Sequence, residues 1–396
     1  MEQKSASRVC PSCGMDGLSP FYETRDVPCH SVLLFRSRKE AVEYQRGDIA
    51  LGFCQACGFI TNTAFDSNVH EYSENCEESQ GCSDTFNVFQ RRLGQRLIDR
   101  YNLRHKKILE IGCGKGEFIA LLCELGENQG IGYDPAYVPS RVEETPDLKF
   151  VRDFYSEKNG QTDADFVCCK MTLEHIPNTS EFLSVVRRSL GQSADTLVFF
   201  QVPDITRILS ECAFWDIYYE HCSYFSRESL ELLFRRCGFE VLAVEVDFGE
   251  QYLMIEATPS DRSSDPQFAL PDLTNLRAEV ENFTGTRAET IGRWKNFLET
   301  HRRTVVWGAG SKAVAFLCAM DGGVPVDYIV DINPRKQGTF SAGTGHEIVP
   351  PEFLKSYRPE NIIVMNPNYC GEIRKELSSL GVSAKLFPVT SVNGVS

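Results

Sequence analysis

Ile108–Phe118 reads ILEIGCGKGEF. An apolar run of strand length meets glycines at 112, 114 and 116, and a helical pattern, GEFIALLCELG, begins at the last of them. Glycine at a strand-to-helix turn accepts positive φ and lets the backbone approach a ligand closely. Outward from this turn, apolar strand-length runs alternate with amphipathic stretches: GIGYDP, ADFVCCKM, SEFLSVVRRSL and TLVFFQVPD. Such alternation is the sequence form of a parallel sheet covered by helices on both faces.

Beyond a polar and aromatic insertion, SRESLELLFRRCGF precedes EVLAVEVDFG and QYLMIEATP, two neighbouring strands joined by a short turn around Gly249. A reversed hairpin closing a parallel sheet separates methyltransferase-type sheets from those of dinucleotide dehydrogenases. The expected fold is therefore α/β, with a Rossmann-like class I methyltransferase sheet. In that frame Glu110, Gly112, Gly114 and Gly116 surround S-adenosylmethionine, and Asp134, ending the next strand, accepts hydrogen bonds from its ribose hydroxyls. Asp153 and Phe154, after the third strand, are placed to contact the adenine. The glycine pattern alone also fits an NAD site. KMTLEHIPN sets His175 at the fourth strand end, as a titrating group or a structural histidine.

The chain of 396 residues exceeds the size of one growing core, and its character changes at two places. These define three parts: residues 1–68, 69–260 and 261–396, the last a helical linker leading to a second α/β series from TVVWGAGS onward. A net charge of −14 argues against nucleic acid and anionic membrane as partners. MEQKSASRVC lacks the apolar core of a signal peptide and no run approaches membrane-spanning length, so a cytoplasmic location is expected.

Cys10, Cys13, Cys54 and Cys57 form two Cys-x-x-Cys pairs, each followed by glycine, Gly14 and Gly58. Two such knuckles offer four thiolates to one tetrahedral zinc, with a sizeable hairpin between them. The remaining cysteines read as small buried hydrophobes.

DIYYEHCSYFS, residues 216–226, gathers Tyr218, Glu220 and His221 before a helix capped by Ser226. This density of titratable groups suits a general base with an orienting partner, His221 supported by Glu220 or a tyrosine, or an aromatic lid over the cofactor. The cap is partial, since Ser226-x-x-Ser229 lacks the glutamate of a full capping box. In the last part Gly308, Gly310, Ser311 and Lys312 meet a helix N-terminus, a place suited to anions, so Lys312 is expected near a phosphate.

Taken together, the cysteine knuckles, EYSENCEESQGCS, LEIGCGKGEF, LEHIPN, YYEHCSYFS, VWGAGSKAVAF and VDINPRKQGTFSAGTGHEIVPPEFL resemble the three-part sugar C-methyltransferase family over nearly the whole chain. The resemblance implies an N-terminal zinc module, a central S-adenosylmethionine-dependent domain and a C-terminal α/β domain. It also implies methyl transfer to a ring carbon of a nucleotide-linked keto-deoxysugar by a monomer, with Tyr72, Tyr218, Glu220 and His221 lining the acceptor site. An N- or O-methyltransferase on a related metabolite is the alternative. Cys76 stands where a second tyrosine is common in that family, and DFGEQYLMIEA replaces a Gly-Gly-Ser-Leu-Arg type segment.

Overall fold

A computed structural model describes residues 9–69, 75–191, 193, 195–260, 269–320 and 325–392. Tyr72 lies outside the described residues.

The central sheet has seven strands: β1 (Lys107–Ile111), β2 (Gln129–Tyr133), β3 (Leu148–Val151), β4 (Phe166–Lys170), β5 (Leu197–Pro203), β6 (Phe239–Asp247) and β7 (Tyr252–Pro259). Their order across the sheet is β6-β7-β5-β4-β1-β2-β3. All neighbours pair in parallel except β7, which runs antiparallel to both β5 and β6. Gly249, at φ 64°, turns the closing hairpin. This is the class I methyltransferase fold. Strands β4 and β5 are buried along nearly their whole length because helices cover both faces, which is why they read as unbroken apolar runs.

The N-terminal part is a long antiparallel hairpin, Leu18–Pro28 with Arg46–Cys54, extended by Ile60–Asn62. A fourth strand, Ser223–Tyr224, is contributed by the loop that carries His221, with Ile60 opposite Tyr224 and Thr61 opposite Ser223. The N-terminal sheet thus anchors that loop directly after His221. Ser226 caps the helix that follows, and its missing glutamate is replaced by Ser229, whose hydroxyl accepts the Ser226 N–H at 3.0 Å while Ser226 Oγ accepts the Ser229 N–H.

The helix Thr274–Thr300 leads to a second parallel sheet: β8 (Thr304–Trp307), β9 (Val326–Val330), β10 (Ile348–Val349), β11 (Asn361–Val364) and β12 (Lys385–Pro388), in the order β10-β9-β8-β11-β12. Ile49, Leu51 and Phe53 of the N-terminal hairpin share a core with Val280 and Phe283 of the long helix and Phe316 and Ile329 of this last unit. The three parts are therefore packed around common apolar surface rather than strung on linkers.

Candidate functional site

The three parts meet at a cavity of about 770 Å³, bordered by the carboxyl ends of β1, β2 and β4 and by the Gly308–Lys312 turn. Ligands bind at that end of parallel sheets, where loops diverge and helix N-termini converge. On the β1 side, Gly112, Gly114 and Gly116 all have positive φ. A side chain at Gly112 would place its Cβ 2.1 Å from Thr172 Oγ1, so glycine is required by space as well as by dihedral. Asp134 fixes the loop: Oδ2 accepts the Gly114 N–H at 2.8 Å and Oδ1 the Ala136 N–H at 2.7 Å. Burial raises its pKa, and these backbone donors oppose the rise.

Glu110 is fully enclosed under this loop, where Oε2 accepts the Ile119 N–H at 3.0 Å. Burial pushes its carboxyl up to about 7, against the pull of Lys170. It holds the start of the following helix and also borders the cavity. Asp153 Oδ1 accepts the Phe154 N–H at 2.8 Å, and Phe154 is 59% exposed at the cavity edge.

The second α/β unit repeats the same device. Oδ2 of Asp331, after β9, accepts the Ala309 N–H at 2.7 Å, and Oδ1 accepts the Asn333 N–H at 2.8 Å. Each unit thus uses the carboxylate after its second strand to clamp the glycine turn after its first. Lys312, expected near a phosphate, borders the cavity and lies on Asp216, whose other oxygen takes Arg207 at 2.5 Å. Asp216 and Arg207 are buried and Lys312 partly so, and although burial alone would raise Asp216, Lys312 and Arg207 hold it below its ordinary value. An uncompensated Asp216 there would be costly, which accounts for the capture of Lys312.

His221 and Glu220 are adjacent yet serve opposite clusters. His221 Nε2 faces Glu174 Oε1 at 4.0 Å, with the Tyr218 ring 4.2 Å and the His175 ring 4.9 Å from its own. Glu174 is 1% exposed, and burial pushes its carboxyl up to about 8. Burial and neighbouring carboxylates keep the Tyr218 phenol well above its ordinary pKa, hence protonated and able to donate. Glu220 turns the other way: Oε1 accepts the Ser31 N–H at 2.6 Å and the Ser31 hydroxyl, which also contacts Ser311 Oγ at 2.7 Å. Of the two supports expected for His221, Glu220 or a tyrosine, the tyrosine, Tyr218, lies beside the imidazole together with Glu174, whereas Glu220 faces Ser31. Glu220 sits in a turn in which the His221 N–H bonds the Tyr218 carbonyl, and its side chain leaves that turn toward Ser31. Glu174 was signalled only by its place in LEHIPN, after the fourth strand.

The four cysteines converge as well. Cys10 Sγ lies 3.7 Å from Cys57 Sγ and Cys13 Sγ 3.7 Å from Cys54 Sγ, all four are buried, and all lie within 4.8 Å of one another. A tetrahedron with Zn–S bonds of about 2.3 Å has sulfur edges of about 3.8 Å, so the set can close around such an ion. Gly14 and Gly58, at φ 72° and 76°, return N–H bonds to Cys10 O and Cys54 O, forming two matching knuckles.

Compared with known proteins, residues 86–244 match the model of a methyltransferase domain and residues 267–387 that of a C-methyltransferase C-terminal domain. The chain is an S-adenosylmethionine-dependent methyltransferase. It is 24% identical over 314 residues to the C-methyltransferase NovU of Streptomyces niveus, an alignment covering 74% of each chain. Among solved structures, a 1,6-didemethyltoxoflavin-N1-methyltransferase of Burkholderia thailandensis with bound S-adenosylhomocysteine is 19% identical, covering 45% of this chain and 83% of its own, with a TM-score of 0.35. A methyltransferase of Aquifex aeolicus is 14% identical, covering 45% and 99%, with a TM-score of 0.34.

S-adenosylmethionine fits the cleft of this methyltransferase. The glycines leave the β1 turn open to a close approach, and the Asp134 carboxylate lines the cavity with lone pairs to spare beyond its two backbone donors. The methyltransferase has no helix, among the described residues, long and apolar enough to cross a membrane.

Proposed function

We propose that this methyltransferase transfers the methyl group of S-adenosylmethionine to a ring carbon of a nucleotide-linked keto-deoxysugar, through an enolate generated by a protein base. The observation that carries the reading is the Glu174–His221 pair, with the Tyr218 ring tilted against the imidazole, in the cavity that also receives the β1 glycine turn. Methylating nitrogen or oxygen asks mainly for orientation, whereas a carbon beside a ketone becomes nucleophilic only when its proton is removed. In this reading Asp134, Gly112, Gly114 and Gly116 hold the cofactor, Asp153 and Phe154 border its adenine, and Glu110 keeps the loop in shape. Bound S-adenosylmethionine supplies the electrophilic methyl.

His221 takes the acceptor proton, and the Glu174 carboxyl beside it, ionised above about pH 8, stabilises the imidazolium that results. Tyr218 donates to the enolate oxygen. Tyr72 and Glu220 border the acceptor, and Cys10, Cys13, Cys54 and Cys57 hold a structural zinc. The domain match and the C-methyltransferase relative support carbon as the target. The test is exchange: with S-adenosylhomocysteine in D₂O, the wild type should introduce deuterium at one acidic carbon of the keto sugar. His221→Ala should lose that exchange. Product spectra placing the methyl on nitrogen or oxygen, with no exchange in the wild type, would overturn the reading.

A further inference from the structure

On the far side of the loop from His221 is a second titratable cluster. Cys76 Sγ lies 3.3 Å from Nε2 of His30, and Nδ1 of His30 lies 3.6 Å from Oε1 of Glu220. None of the three is more than 4% exposed to bulk solvent, yet all three line the main cavity. The second oxygen of Glu220, Oε2, is buried with no hydrogen-bond partner among the described residues. The cluster joins three distant pieces of chain: His30 leaves the N-terminal hairpin, Cys76 bridges to Leu33, and Glu220 is fixed by Ser31. A thiol, an imidazole and a carboxylate in series make the arrangement that activates sulfur nucleophiles.

We propose that Cys76 is a reactive thiol facing the cavity, activated by His30 with Glu220 behind it, and that it is a site of covalent modification by soft electrophiles. The thiol proton passes to Nε2, leaving a thiolate beside an imidazolium whose Nδ1–H points to Glu220. The Val32 N–H, 3.3 Å from Nδ1, is a competing donor in the neutral ring. Protonation of both nitrogens answers Cys76 and Glu220 at once, and gives the enclosed carboxylate the counter-charge that burial otherwise denies it. Cys29, Tyr218 and Tyr224 also face Glu220. Of the acids next to Cys76 in the chain, Glu77 is paired with Arg141 and Glu78 with Lys115, so neither opposes the thiolate with full charge. With an α-halo amide the thiolate forms the C–S bond, halide departs with the bonding pair, and the proton stays on His30 until solvent removes it. The inference holds whatever the acceptor is.

The test is alkylation of the full-length protein by iodoacetamide from pH 5.5 to 9.5, with site-resolved mass spectrometry. Cys82, exposed and with its pKa raised by burial and nearby acids, is the internal reference. The Cys76 rate should level off at least about two pH units below that of Cys82, and His30→Gln should slow it roughly tenfold or more at pH 6.5 without changing Cys82. Glu220→Gln should give a smaller loss. Retained S-adenosylhomocysteine binding shows that a variant is folded; where one is not, the wild-type profile decides. A Cys76 profile that tracks Cys82, no modification at any pH, or an unchanged rate in folded His30→Gln would each overturn the proposal.

Discussion

Glu174 Oε1 stands 4.0 Å from Nε2 of His221, in a pocket where neither side chain is more than 4% exposed. A carboxylate so enclosed matters most when the imidazole beside it gains charge. His221→Ala is expected to lower turnover by about 10² to 10⁴-fold, the ordinary range for a general base. Glu174→Gln should keep the shape and remove the titratable carboxyl, with turnover falling roughly 10 to 100-fold above about pH 8, where that carboxyl is ionised, while cofactor affinity holds. Steady-state kinetics and calorimetry with S-adenosylhomocysteine check both.

The same carboxyl makes stability depend on pH. Glu174 is pushed up to about 8 in the folded protein by burial. As pH rises from its ordinary range near 4.5, the unfolded chain releases the proton while the folded chain keeps it until about 8. The unfolded state then binds fewer protons, so stability falls through that window. Glu220 and Glu110, each pushed up to about 7 by burial, act in the same sense. Glu174→Gln should therefore flatten the fall in Tm between pH 5 and pH 8. A variant whose Tm declines as steeply as the wild type's would refute this.

Asp134 and Asp331 clamp equivalent turns, and they provide a matched pair of substitutions. Asp134→Ala removes both the loop clamp and the expected ribose acceptor, at a cost to S-adenosylmethionine binding of about 1.5 to 3 kcal/mol. Asp331→Ala should loosen only the C-terminal turn and leave cofactor affinity unchanged. Gly114→Val should weaken binding further, because a branched residue resists the φ of 55° found there. Isothermal titration of all three separates the effects.

Much of this architecture was legible before any coordinates. The strand-to-helix turn at Gly112, the alternation after it, the hairpin around Gly249 and the knuckle spacing are local patterns, and local patterns carry local structure. The chemistry of the pocket was less so. Ser31 meets Glu220, and the loop carrying His221 is held beside Glu174, through a strand that joins the N-terminal sheet, a pairing without periodic signature. Lys312 illustrates a related point: its glycine turn suits an anion, and the anion that meets it within the chain is Asp216, distant in sequence.

Metal content tests the knuckles. Protein purified without chelator should carry close to one zinc, and Cys54→Ser should lose it. The N-terminal hairpin has little core apart from its neighbours, so the loss should also loosen Ser223–Tyr224 and with it the loop holding His221. Hydrogen exchange should show faster exchange at Thr61 and Asn62, and activity should fall with zinc occupancy. Full activity in a zinc-free preparation would count against this coupling.

The Lys312–Asp216–Arg207 triad yields a prediction separable from catalysis. Lys312→Met leaves Asp216 with Arg207 as its only cation, in a place from which solvent is excluded. Removing one partner of a buried ion pair costs up to about 3 to 5 kcal/mol when the other is left unpaired; with Arg207 remaining, about 1 to 3 kcal/mol is expected. Asp216→Asn alone strands Lys312 and leaves Arg207 with Glu211 as its remaining partner, and should be comparably damaging. Combining the two removes the mismatch of charge, so the double variant should be more stable than the sum of the single losses implies. Chemical denaturation of the four proteins gives the coupling energy. If Lys312 instead serves an acceptor phosphate, Lys312→Met should raise the acceptor KM with little loss of stability. A stable Lys312→Met enzyme with a raised KM would therefore move this lysine from the scaffold into the binding site.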